Sequence, residues 1–195
     1  MCRKELLFSL VYFILQFQVL SLLFVSVLSM NVKVRLYRLS RHSHRIPLAR
    51  QYLTVNILLV GKKNISEKWI THGCEEYEKR LSSTMKIETK YFKSDEELIK
   101  SVTTSRGVIL ALDETGEEYT SRAFSKFVYN SFEIGGSHIT FVLGGFNGLP
   151  NEIKQNYSLL SLSKMTWTHQ MARLLLIEQI YRASEIYKNS CYHKD

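Results

Sequence analysis

The sequence predicts an α/β domain with a largely parallel β-sheet over residues 54–195. Two observations predict this fold class. First, short apolar runs, each stopped by a glycine or a polar turn, alternate with amphipathic segments of helical spacing. Second, most of the apolar runs are nearly continuous, which is typical of strands buried on both faces of a parallel sheet. No repeat, linker or low-complexity stretch interrupts the region, so one domain is expected.

The first predicted element is a buried strand over residues 54–61 (TVNILLVG), which ends at a glycine. A helix over residues 66–81 is predicted next, because Ser66 is able to cap its N terminus and apolar side chains recur at near-helical intervals. Residues 85–92 (MKIETKYF) alternate in polarity, as a strand with one buried face does.

The remaining elements continue this alternation of helices and strands. Ser94 and Glu97 have the spacing of a capping box, which predicts a helix over residues 94–102. The other predicted elements are strands over 107–113 and 138–145, helices over 121–132 and 151–157, and a long final helix from about His169 to Lys188.

Three segments are predicted to form a functional site. Ligands of parallel α/β sheets bind beyond the carboxyl ends of the strands. Two predicted strands end there in polar or glycine-rich turns, namely residues 110–116 (LALDETG) and 142–148 (VLGGFNG). Residues 162–168 (LSKMTWT) have neither strand nor helix character and directly precede the final helix, so we expect them at the same edge.

Taken singly, the motifs leave alternatives open. Gly144, Gly145 and Gly148 would let backbone amides approach a ligand closely, but a tight turn between two elements explains them equally well. Their spacing matches neither the dinucleotide-binding fingerprint nor a P-loop. The three cysteines, Cys2, Cys74 and Cys191, form no C-x-x-C pair, so neither a zinc site nor a disulfide framework is indicated.

The candidate polar residues are equally ambiguous from spacing alone. Asp113 could orient a ligand hydroxyl or act as a base, although an acid at a strand end more often caps the following turn. Glu178 and Arg182 have the spacing of a solvated helical ion pair. His169, at a helix start, is more often a packed or capping residue than a catalytic one.

The positive charge of the chain belongs to its first part. Residues 1–53 hold eight of the 26 Lys and Arg residues and one of the 18 Asp and Glu residues, so residues 54–195 hold 18 basic and 17 acidic residues. A nearly neutral body gives no general nucleic-acid footprint. Any affinity for RNA must therefore come from local Lys and Arg side chains and from shape.

The first part reads as a targeting leader. Residues 6–29 are apolar like the core of a signal peptide, and residues 30–53 are rich in Arg and Ser without any acid, like a transit peptide. The two in series predict delivery to an organelle, with a plastid favoured and a mitochondrion as the alternative. An uncleaved membrane anchor over 6–29, or a start at Met30, are competing interpretations.

The order of the motifs along residues 54–195 resembles the RlmH family of SPOUT-class methyltransferases. The residues that carry the resemblance are 56–62 (NILLVGK), 76–81 (EYEKRL), 110–116 (LALDETG), 141–149 (FVLGGFNGL), 162–183 (LSKMTWTHQMARLLLIEQIYRA) and 192–194 (YHK). The long segment 162–183 is the most specific of them. With its leader, the chain looks like an organelle-targeted, eukaryotic-type member.

The resemblance implies a SPOUT-type fold with a C-terminal trefoil knot, and a function. Members of the family use S-adenosylmethionine, without a metal, to methylate N3 of a pseudouridine in large-subunit ribosomal RNA, and they act as homodimers. By match to the family, the donor-binding positions are Leu112, Gly144, Leu162, Ser163, Lys164, Met165, Thr166 and Trp167. The matched candidates for placing the substrate or removing its proton are His169, Arg182, Tyr192 and His193.

Two departures from the family pattern lie in the domain. Thr168 stands where the family usually has proline, so the bend before His169 is expected to be looser or to be capped by the Thr hydroxyl. The region between residues 92 and 105 is shorter than in bacterial members. An enzyme acting on assembled ribosomes in an organelle, with no stable membrane partner after removal of the leader, is the expected function. A donor-binding ribosome-assembly factor without methyl transfer is the alternative.

Overall fold

A computed structural model describes residues 52–62 and 67–194, and the following statements concern these residues. The leader over 1–53 therefore lies almost wholly outside them, as does the proposed cap residue Ser66. Within the described ranges, no helix has the length and apolar character needed to cross a membrane. The apolar segment 6–29 is not among them.

Five strands and five helices alternate along the described residues, and the sequence predicts all of the helices and four of the strands. The strands are β1 Leu53–Val60, β2 Met85–Phe92, β3 Val108–Glu118, β4 His138–Leu143 and β5 Ser158–Ser161. The helices are α1 Lys68–Leu81, α2 Asp95–Thr103, α3 Ser121–Ile134, α4 Asn151–Asn156 and α5 His169–Tyr187. At α2 the predicted cap is present, with the Ser94 hydroxyl accepting the amide of Glu97 at 3.4 Å.

The strands form one sheet in the order β2-β1-β4-β3-β5, and every neighbouring pair is parallel. The predicted parallel α/β architecture is therefore confirmed. Because all five strands run in the same direction, their carboxyl ends and the loops that follow them meet at one edge of the sheet. The knot that the resemblance implies stays a prediction.

Two cores cover the two faces of the sheet, and β1 shows why. Along this strand Val55, Ile57 and Leu59 belong to the larger core, whereas Leu58 belongs to the smaller one on the opposite face. Side chains that alternate along a strand point to opposite faces, so a nearly continuous apolar run serves both cores. Helices α1, α3 and α5 contribute to the larger core, and α2 and α4 to the smaller.

Two predictions about the strands were wrong. The third strand was expected to end at Asp113, but β3 continues to Glu118, with a register shift between Leu112 and Glu117. A fifth strand was not expected, yet residues 158–161 pair with β3 at the sheet edge. Gly116 permits this pairing, since a Cβ there would lie 2.6 Å from backbone atoms of Leu159 and Leu160.

Candidate functional site

A pocket of about 360 Å³ lies at the carboxyl edge of the sheet, where the sequence places the site. Its lining begins with the ends of three adjacent strands, at Leu112 of β3, Leu143 of β4 and Leu160 of β5. The segments that follow these strands supply the rest, together with the first turn of α5. Its volume is within the range of small-molecule sites.

The glycine turn after β4 forms one wall and is closely folded. The amide of Gly148 donates to the carbonyl of Gly145 at 3.1 Å, which closes the turn. A Cβ on Gly144 would lie 2.2 Å from the carbonyl carbon of Gly148, so only glycine fits there. At the tip of this turn, Phe146 lines the pocket and is 98% exposed. The turn therefore presents backbone and one aromatic ring to the pocket mouth.

The opposite wall is the irregular segment 162–168. Ser163 accepts a hydrogen bond at its hydroxyl from the amide of Met165 at 3.0 Å, and its carbonyl accepts one from the Ser161 hydroxyl. Met165 and Trp167 are both exposed along the pocket. This segment thus presents apolar side chains to the pocket with few contacts of regular secondary structure.

Asp113 and Glu114 of β3 make polar contacts at the pocket. Asp113 accepts hydrogen bonds from the amide and hydroxyl of Thr115, at 3.1 and 2.6 Å, and pairs with Lys154 of α4 at 2.7 Å. Burial disfavours the Asp113 carboxylate, but these partners outweigh that cost and hold its pKa below the ordinary value. Next to it, the Glu114 carboxylate accepts the Thr166 hydroxyl at 3.2 Å. Asp113 thus binds Thr115 within its own strand and also carries an ion pair.

The first turn of α5 closes the pocket. Thr168 is its N-cap, and the Thr168 hydroxyl accepts the amide of Met171 at 3.3 Å. This resolves the alternatives left open for Thr168 in favour of the capped bend. Its φ of −62° is also the value a proline ring would fix, so Thr and Pro impose similar backbone at this position. His169, the next residue, lines the pocket and lies near Gly61.

Seven of the eight donor-binding positions implied by the resemblance line this one pocket. They are Leu112, Gly144, Leu162, Ser163, Met165, Thr166 and Trp167. Lys164 lies on the same segment but does not line the pocket. Of the four substrate-placing candidates, only His169 lies there. Asn147 and Lys154 also line the pocket, and nothing in the sequence pattern singled them out.

The other three candidates form a second cluster at the far end of α5. Arg182 pairs with Glu178 at 2.6 Å, and the Arg182 Nη1 lies 3.4 Å from the Nδ1 of His193. The Tyr192 hydroxyl donates to Glu178 at 3.3 Å, and the Arg182 guanidinium lies 5.0 Å from the centre of the Tyr192 ring. The helical pair is thus present, but it is partly buried rather than solvated, because the C-terminal tail packs against it.

Aromatic rings extend this cluster onto α1. Tyr181 packs edge-on against Tyr192 and lies 5.6 Å from Tyr77, with Arg80 over both Tyr77 and Tyr181. Burial, followed by the neighbouring Tyr77 and Glu178, raises the pKa of Tyr192 to about 12. The Tyr192 phenol is therefore protonated near neutral pH and is a poor base.

The two groups of candidates are well separated within one chain. His169 and Arg182 are 13 residues apart on α5, which corresponds to about 20 Å along the helix axis. Among the described residues, no group of three His, Cys, Asp or Glu side chains is placed to hold a metal ion. One chain alone does not bring the pocket and the tail cluster together.

Comparisons with known proteins relate the chain to a family of methyltransferases. The family model described as "Predicted SPOUT methyltransferase" matches residues 53–193. A ribosomal RNA large subunit methyltransferase H from Protochlamydia amoebophila is 49% identical over 142 residues, which cover 73% of this chain and 99% of that protein. The protein of the same name from Prochlorococcus marinus is 42% identical over 142 residues, with 71% and 94% covered.

A solved structure, titled as a probable methylase family protein from Haemophilus influenzae Rd KW20, is 14% identical, covers 72% of this chain and 70% of that one, and has a TM-score of 0.45. The assignment rests on the sequence matches. The chain belongs to the SPOUT methyltransferase family, within the group of the ribosomal RNA large subunit methyltransferases H.

Proposed function

We propose that this chain is an S-adenosylmethionine-dependent methyltransferase that methylates N3 of a pseudouridine in the large-subunit ribosomal RNA of an organelle. The names of the relatives support the ribosomal RNA substrate. The single observation that carries the proposal is the pocket, around which seven matched donor positions converge. The specificity for N3 of pseudouridine rests on the resemblance.

The pocket residues fit such a donor. Adenine is flat and apolar, and Leu112, Leu162, Met165 and Trp167 offer apolar surface beside the backbone of the glycine turn. S-adenosylmethionine, when bound, supplies a methyl group already activated by its sulfonium. The protein then has mainly to align the attacking nitrogen of the substrate with this methyl group.

The substrate side requires a proton acceptor and a positive charge. Pseudouridine N3–H must lose its proton, and His169 is a pocket residue whose imidazole nitrogen is able to accept one. The Arg182 guanidinium is suited to stabilise the N3 anion or a neighbouring phosphate. Tyr192, with its raised pKa, would donate a hydrogen bond and hold Glu178 and Arg182 in place.

A homodimer would bring both groups to one nucleotide. The pocket and the Arg182 cluster lie about 20 Å apart along α5. If both act on the same base, the cluster must come from a second copy of the chain. A symmetric dimer would then contain two equivalent composite sites, each with the pocket of one chain and the tail of the other.

A mixing experiment tests this arrangement. Gly144→Ala disables the pocket and Arg182→Ala disables the tail, so neither variant should be active alone. If the chains exchange randomly, half the dimers are mixed and one of their two sites is intact, which restores about a quarter of wild-type activity in a symmetric dimer. Absence of any restored activity, together with a monomeric mass in sedimentation, would exclude the composite site.

Delivery to a plastid, with a mitochondrion as the alternative, forms part of the proposal. It rests on the apolar and basic segments of residues 1–53. Determination of the N-terminal residue of the protein recovered from cells tests it. A chain that begins beyond about residue 30 in an organelle fraction supports the leader, whereas an intact N terminus in a membrane fraction supports an anchor over 6–29.

The decisive experiment for the activity is methyl transfer with labelled S-adenosylmethionine. The purified full chain is incubated with bacterial-type ribosomes that lack this methyl group, and the recovered ribosomal RNA is digested to nucleosides. N3-methylpseudouridine is the expected product. Donor binding without transfer would instead support the assembly-factor alternative. Thr168 gives that alternative no support, because its hydroxyl caps the helix that begins at His169.

A further inference from the structure

The proposed donor pocket carries an unbalanced negative charge, which Glu114 supplies. Within the part of the chain that the structure describes, the ionisable side chains that line it are Asp113, Glu114, Lys154 and His169. Asp113 and Lys154 neutralise each other at 2.7 Å. Among the described residues, Glu114 has the Thr166 hydroxyl as its hydrogen-bond partner and forms no ion pair. The described carboxylates and lysine of the lining, Asp113, Glu114 and Lys154, therefore sum to a net charge of −1.

The Glu114 carboxylate is also fixed at the pocket. The Thr166 hydroxyl donates to its Oε2, which joins the end region of β3 to the wall formed by 162–168 across 52 positions of sequence. Both residues line the pocket. Lys164, which belongs to the same wall, does not line it. The negative charge thus lies closer to the pocket than the nearest positive charge of that wall.

We propose that Glu114 lets the pocket discriminate by charge between the methyl donor and its demethylated product. S-adenosylmethionine has a net charge of +1 through its sulfonium, whereas S-adenosylhomocysteine, which lacks it, has a net charge of zero. A carboxylate at the pocket attracts the first and is indifferent to the second in net Coulomb terms. Glu114 is then a specificity-determining residue that favours exchange of product for fresh donor. This inference rests on the proposed function.

The effect should be modest, because Glu114 is exposed to solvent. Two unit charges a few ångströms apart in a water-rich environment interact by about 1 kcal/mol, which is about a fivefold change in affinity. Salt screens exposed charges over about 10 Å at 0.1 M. We therefore expect Glu114 to give about a three- to tenfold preference for S-adenosylmethionine, and this preference should decline as salt is raised.

Calorimetric titration of the full chain with each ligand tests the proposal. Glu114→Gln removes the charge but keeps a carbonyl oxygen that can accept from Thr166. The variant should bind S-adenosylmethionine about three- to tenfold more weakly in low salt and bind S-adenosylhomocysteine within about twofold of wild type. Glu117→Gln is the matched control, because Glu117 is an exposed acid of the same strand that does not line the pocket. It should change neither affinity.

Thr166→Val separates charge from structure, since it removes the hydroxyl and retains the branched shape. It should weaken both ligands by a similar factor, because the wall 162–168 loses its link to Glu114. The charge discrimination would be overturned if Glu114→Gln left the ratio of the two affinities unchanged. It would also be overturned if Glu117→Gln changed that ratio as much as Glu114→Gln does. Either result would leave the assignment of the donor site intact. Failure of the wild type to bind either ligand would overturn the proposed function and this inference together.

Discussion

The Nζ of Lys154 lies 2.7 Å from the Oδ2 of Asp113, and this ion pair joins helix α4 to strand β3 at the wall of the pocket. The Asp113 side chain is only 8% exposed, whereas that of Lys154 is 37% exposed. Loss of the lysine would leave a nearly buried carboxylate with the two hydrogen bonds from Thr115. The pair is therefore a sensitive point for stability.

Lys154→Met should lower the free energy of unfolding by about 1–2 kcal/mol near neutral pH, mainly by leaving Asp113 without its cation. The pKa of Asp113 is lowered in the folded protein, so its stabilising effect is present above the ordinary Asp pKa and is lost as pH falls through the folded value. Without Lys154 that folded value rises. Urea unfolding from pH 7 to 3 should show a weaker acid-side dependence in the variant.

Asp113→Asn in the Lys154→Met background provides the control for this prediction. The additional change should remove the carboxylate and most of the remaining pH dependence from this site. An unaltered pH dependence in Lys154→Met would mean that Thr115 alone determines the ionisation of Asp113.

Gly144→Ala should change the backbone conformation of the glycine turn. The added Cβ would lie 2.2 Å from the carbonyl carbon of Gly148 and 2.3 Å from its oxygen, which forces backbone movement. We expect at least about a tenfold loss of donor affinity, since backbone displacement at a site is costly for binding. Gly145→Ala is the control, because its Cβ would lie 3.2 Å from the Val60 side chain and 3.7 Å from the Val60 carbonyl oxygen, and should cost much less. Equal affinities of the two variants would show that this turn does not shape the donor site.

Thr168→Ala should destabilise the protein by about 1 kcal/mol, because the cap of α5 loses its hydroxyl acceptor. Thr168→Ser, which keeps the hydroxyl, should remain close to wild type. Urea denaturation measures both. If Ala and Ser variants unfold at the same urea concentration, the hydrogen bond to Met171 contributes nothing to stability.

Tyr192 should lose its proton only at high pH, because its pKa is raised in the folded protein. Its pKa of about 12 in the folded chain is raised above the usual value near 10. The neutral phenol therefore stabilises the fold fully below pH 10, and this contribution is lost as pH rises toward 12. In absorbance titration at 295 nm, Tyr192→Phe should remove a transition near pH 12. The pH dependence of methyl transfer between pH 6 and 9 should be the same in both proteins. A different pH dependence of methyl transfer in Tyr192→Phe would indicate that Tyr192 takes part in proton removal.

Most of the architecture follows from local pattern, and the exceptions have physical causes. The buried strands were predictable because continuous apolar runs have few other stable places in an α/β domain. Strand β5 was not, because SLLS is too short for a periodicity, and its pairing with β3 is divided between Leu110–Leu112 and Glu117–Glu118 by a register shift. That pairing depends on close backbone approach at Gly116, which a propensity argument does not detect.

The location of the pocket was predictable, but the division of the candidate residues between the pocket and the tail cluster was not. The carboxyl-edge rule located the three segments that line the pocket. The separation of Arg182, Tyr192 and His193 from it follows from the length of α5, which the sequence already indicated, at 1.5 Å per residue. The contacts of Glu114 and Lys154 could not be read from spacing, because their partners lie 52 and 41 positions away in the chain.

The chain contains two tryptophans, Trp69 on α1 and Trp167 in the pocket wall. Trp167 is 39% exposed, so any molecule that covers it changes the polarity around its indole ring. A Trp69→Phe protein would consequently carry a single tryptophan, located at the pocket. The wavelength of its emission maximum and its quenching by iodide would report occupancy of the pocket in real time, without label or isotope.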